Sequence, residues 1–131
     1  MSKGSNENFS ITHLKKGRHP RVPFLEMKNF VLGKSYILSL VFANGLLIKK
    51  LNKIYKNKKK GTDVLSFRLG KGEGEIFLNL EYAKKKAPIE GRNYKNFVGF
   101  LFIHSLMHLK GFTHSSRMET QEVKVRRKFG I

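Results

Sequence analysis

The stretch from Asn93 to Leu109 constrains the fold more than any other. It holds Phe97, Val98, Phe100, Leu101, Phe102, Ile103, Leu106, Met107 and Leu109. Wound into a helix, these side chains cover nearly the whole circumference, so the helix must run through the middle of the molecule. Gly111 stands where a C′ glycine ends such a helix. A chain of 131 residues, 40% of them hydrophobic, has material for one domain with a single modest core around it.

The other elements read less strongly. Met1–Arg21 is polar and basic and lacks periodicity, which predicts a flexible tail ahead of a single domain over 22–131. Tyr36 to Phe42 predicts a strand. Asn44 then caps a helix with Leu47, Ile48, Leu51, Ile54 and Tyr55 on one face. Val64–Leu69 and Glu75–Asn79, joined by the Gly70–Gly74 turn, predict two more strands, as a hairpin or side by side. Asn79 caps a short helix stopped by Pro88. Ser116 with Glu119 predicts a capping box for a last helix through Phe129. The class is α/β or α+β, a small sheet packed against the buried helix.

Twenty-seven Lys and Arg against nine Asp and Glu leave a charge of +18. Such an excess on a small domain predicts a polyanionic partner, nucleic acid before anionic membrane. Cysteine is absent, which excludes disulfide-linked partners, iron–sulfur clusters and a Cys nucleophile. No segment reaches the roughly 18 apolar residues of a membrane span. The longest, Tyr36 to Ile48, is broken by Ser39, Asn44 and Gly45 and lies too far in for a secretory signal. The expected compartment is the cytoplasm.

Three of the five histidines fall within eleven residues: His104, His108 and His114. Positions i and i+4 project from one helix face about a turn apart. Gly111 lets the chain turn back and return His114 to the same point. Three neutral imidazoles around a tetrahedral ion leave a fourth position open, the pattern of a catalytic zinc, one per chain. His13 and His19 fall in the tail and are expected to be solvated. The same His spacing occurs in metzincin proteases, where Glu follows the first His as general base. Ser105 occupies that position here, so a zinc protease is the weaker reading.

His104, His108, Leu109, Gly111 and His114 match in place the signature H-G-x-L-H-L-x-G-Y-D-H of the YbeY-type ribosomal RNA maturation factors, which are bacterial metal-dependent endoribonucleases. Leu51–Lys56 followed by Thr62-Asp63-Val64-Leu65-Ser66-Phe67, and Gly74-Glu75-Ile76, resemble two further segments of that family in the right order. The resemblance spans roughly Tyr36 to Val125. It implies a zincin-like α+β fold with a small mixed sheet on the metal-binding helix, and zinc on the three histidines. It further implies cleavage of single-stranded RNA, maturation of the 3′ end of small-subunit ribosomal RNA, and ribosome quality control. Ribosomal RNA and ribosomal particles are then the partners.

On the same resemblance Lys56 is the candidate catalytic cation, standing where the family carries Arg. Lys58, Lys59, Lys60 and Arg68 are the candidate RNA contacts beside the metal cleft. Thr113, Ser105 and Phe112 also replace family residues (Asp, Gly and Tyr). The replacements at Lys56 and Thr113 keep a second reading open, a non-catalytic ribosome-assembly factor that zinc stabilises and whose basic face holds RNA.

Overall fold

A computed structural model describes residues 2–6, 8–14, 17–56, 64–111 and 115–131. In chain order the elements are β1 (Ser2–Asn6), β2 (Phe9–His13), α1 (Phe24–Leu32), β3 (Ile37–Phe42), α2 (Gly45–Lys56), β4 (Val64–Gly70), β5 (Glu73–Leu78), α3 (Leu80–Lys86), α4 (Tyr94–Lys110) and α5 (Ser116–Phe129). The five strands form one mixed sheet in the order β1-β2-β3-β5-β4. β2, β3 and β5 run parallel, while β1 and β4 close the two edges antiparallel.

Alternation along the strands sorts side chains onto two faces. Leu38, Leu40 and Phe42 of β3 and Ile76 and Leu78 of β5 face the main core, which α1, α3, α4 and α5 cover. Val41 faces the other way, into a smaller cluster with Ile48 of α2 and Leu65 of β4. Leu47, Ile48 and Leu51 of the apolar face expected on α2 therefore pack on the back of the sheet, whereas Ile54 is exposed. Phe102, Ile103 and Leu106 of α4 are fully buried, which is the central position its composition demands.

Helix boundaries follow from local chemistry. Asn44 accepts a hydrogen bond from the Leu47 amide at 2.8 Å and starts α2. Asn79 does the same for Tyr82 at the start of α3, and Asn93 for Asn96 at the start of α4. Gly111 ends α4 with φ +107°, a left-handed conformation that suits glycine. The cap of α5 is Ser115, not Ser116: its side chain accepts from the Met118 amide, which places Glu119 one position too late for a capping box.

The expected tail over 1–21 is corrected. β2 lies inside the sheet, in register with β3 from Phe9–Leu38 to His13–Phe42. β1 pairs with β2 through its backbone. Its residues Ser2–Asn6 offer no apolar alternation in the sequence. His13 is not solvated but 8% exposed, and its Nε2 lies 2.8 Å from His19 Nδ1. Both rings pack on Phe42, and burial pulls both pKa values below the ordinary 6.5. α1 was not anticipated either, although Phe24, Met27 and Val31 give it a buried stripe at helical spacing.

Candidate metal centre

α4 runs from its Asn93 cap to Gly111 as one uninterrupted helix, so residues four apart fall on one face. His104 and His108 lie on that face, half-buried, while Ile103, Leu106 and Met107 are turned into the core. The two imidazoles meet edge to face with their Nε2 atoms 3.1 Å apart. Two nitrogens bonded at 2.0–2.1 Å to one tetrahedral ion stand about 3.3 Å apart. The pair therefore fits two corners of a zinc tetrahedron with little adjustment.

His104 has a second partner that sequence reading missed. Its Nδ1 lies 3.0 Å from Oε2 of Glu122 on α5, and the Glu122 side chain is nearly buried. Beyond Glu122, the guanidinium of Arg126 stands 5.3 Å and that of Arg92 4.4 Å from the centre of the Phe100 ring. Phe100 in turn stacks on His104. Burial, and then the like charge of Arg126, push the Arg92 pKa down, while Glu122 partly opposes this. An open cleft of about 540 Å³ lies beside these groups, lined by Phe100, His104, Met118, Glu119 and Glu122 among others.

Of the other expected site residues, Arg68 is described in full. Its Nη2 donates to the Leu109 carbonyl at 3.2 Å, which sets a positive charge against the C-terminal end of α4. The rest of the side chain is exposed at the same end of the helix. Lys56 is the last residue of α2, and the placement of its side chain lies outside the described residues. His114, Lys58, Lys59, Lys60 and Thr113 lie outside them too. Among the described residues no group of three or more His, Asp and Glu is arranged to hold a metal. The helical pair supplies two donors, and the third expected ligand is His114.

The family described as endoribonuclease YbeY matches residues 6–129. The chain belongs to that family. YbeY relatives include a Heliobacterium modesticaldum endoribonuclease YbeY, 34% identical over 116 residues, covering 72% of this chain and 70% of the relative. One from Phytoplasma mali is 32% identical over 121 residues, covering 90% and 77%. The solution structure of a Thermotoga maritima protein shares the fold, with a TM-score of 0.60 at 22% identity, over 92% of this chain and 89% of that one. The YbeY match begins at residue 6, inside the segment expected to be a tail, as the place of β2 in the sheet requires.

Proposed function

We propose that this chain is a zinc-dependent endoribonuclease that cuts single-stranded RNA. Its substrate is ribosomal RNA at the small-subunit 3′ end, and its setting is ribosome maturation and quality control in the cytoplasm. The observation that carries the reading is the opposed Nε2 pair of His104 and His108, 3.1 Å apart on a rigid helix in a YbeY family chain. His114 is assigned as third ligand by the signature. When bound, zinc supplies Lewis-acid polarisation of a phosphate oxygen and of a water molecule.

The chain's own residues supply the rest. The C-terminal half of α4 gives the histidines a fixed spacing, so little entropy is lost on assembling the centre. Lys56 meets the charge that develops on the phosphate in the transition state. Lys58, Lys59, Lys60 and the exposed part of Arg68 hold neighbouring phosphates. The +18 charge draws RNA to the surface from a distance. Among the described residues no helix is long and apolar enough to cross a membrane.

Labelled single-stranded ribosomal RNA, incubated with the purified chain before and after chelation and after zinc is restored, tests the proposal. Cleavage that stops and returns is expected. RNA that binds but stays intact in every arm favours the assembly-factor reading, and casein hydrolysis in a parallel arm favours the protease.

A further inference from the structure

Glu122 sits where an apolar residue is the ordinary choice. It shares the buried stripe of α5 with Met118 and Val125, at i−4 and i+3. A carboxylate at such a position is costly unless it is hydrogen-bonded. Among the described residues it meets Nδ1 of His104 at 3.0 Å, and the charges of Arg92 and Arg126 lie nearby.

A carboxylate only accepts, and a neutral imidazole carries a single N–H. The contact therefore puts the His104 proton on Nδ1 and leaves a lone pair on Nε2. That lone pair faces Nε2 of His108. Phe100 lies beside the same ring, near-parallel to it at 17° with centroids 6.4 Å apart. We propose that Glu122 is a positioning residue: it locks His104 in the Nδ1–H tautomer and aims Nε2 at the point where a metal is held. The metal part of this inference rests on the function proposed above.

A contact that merely ties α5 to α4 would fix the same tautomer but would leave zinc affinity unmoved, so the two readouts together separate the roles. In the full chain with ¹⁵N-labelled histidine, two-bond nitrogen–proton correlations report which nitrogen of His104 carries the proton, before and after one equivalent of zinc. Competition with a chromophoric chelator reports zinc affinity. The wild type is expected to show Nδ1–H in both states. Glu122→Ala is expected to lose the single tautomer and to bind zinc about 10- to 100-fold more weakly. Glu122→Gln keeps an acceptor of the same shape and is expected to recover the tautomer and most of the affinity.

Protonation of wild-type His104 at Nε2 overturns the proposal, and that result does not depend on any variant folding. An alanine variant with unchanged tautomer or unchanged zinc affinity also overturns it. A wild type that shows Nδ1–H yet takes up no zinc contradicts the metal reading and supports the role of Glu122 in holding the imidazole.

Discussion

Gly74 on β5 lies directly against Leu109 on α4. A Cβ at position 74 would stand 3.0 Å from Leu109 Cδ2 and 2.5 Å from the buried hydroxyl of Tyr36. The missing side chain lets the histidine-bearing helix settle on the sheet, and Arg68 holds the same helix end through the Leu109 carbonyl. Gly74→Ala forces α4 away or displaces Tyr36, which should cost roughly 1–3 kcal/mol. Gly70→Ala, where a Cβ meets nothing within 4 Å, is the control and should change little. Urea unfolding of both variants checks this.

Phe42 carries the pair His13 and His19, and the pair makes stability depend on pH. Burial lowers the pKa of each below 6.5, and His13 adds to the effect at His19. The unfolded chain therefore binds more protons than the folded one as pH falls below about 6.5. The contribution is complete above that pH and is lost as pH drops toward the folded-state values. Melting temperatures between about pH 5 and 8 should rise with pH, and the rise should flatten in His13→Gln and His19→Gln.

How much of this was legible in the sequence differs from residue to residue. α4 could be read because apolar side chains surround it, and His104 and His108 because the helical period carries them to one face. Asn44 and Asn79 announced their helices through capping chemistry that acts within three residues, and Asn93 caps α4 in the same way. Glu122 was hidden because its partner is eighteen residues away on another helix, a contact no local period encodes. His13 and His19 looked solvated because their neighbours are polar; the pairing of β2 with β3 sets His13 beside Phe42, and the segment after β2 brings His19 onto both rings. β1 carries no pattern of its own and pairs with β2.

RNA binding should be dominated by phosphate contacts, since +18 is spread over a small surface. Affinity for a single-stranded ribosomal RNA fragment should fall steeply and linearly on a log–log plot against salt. A filter-binding or anisotropy series gives the slope, and a flat line would show that the charge serves another purpose.

Lys56 should matter for cleavage and little for binding. Many lysines share the attraction to ground-state RNA, whereas one cation near the reacting phosphate meets charge that appears only in the transition state. Lys56→Ala should cut at a rate lower by on the order of 100-fold with nearly unchanged affinity. Lys56→Arg should keep or raise the rate, because a guanidinium holds two phosphate oxygens. Single-turnover cleavage at saturating RNA separates the effects.

A metal held by His104, His108 and His114 is what the proposed activity requires. The most direct measurement is zinc content per chain in the wild type and in His104→Ala, His108→Ala, His114→Ala and His13→Ala. One zinc is expected in the wild type and in His13→Ala, with strong loss in each of the other three. Equal zinc in all five proteins, or none in the wild type after zinc is supplied, would contradict it.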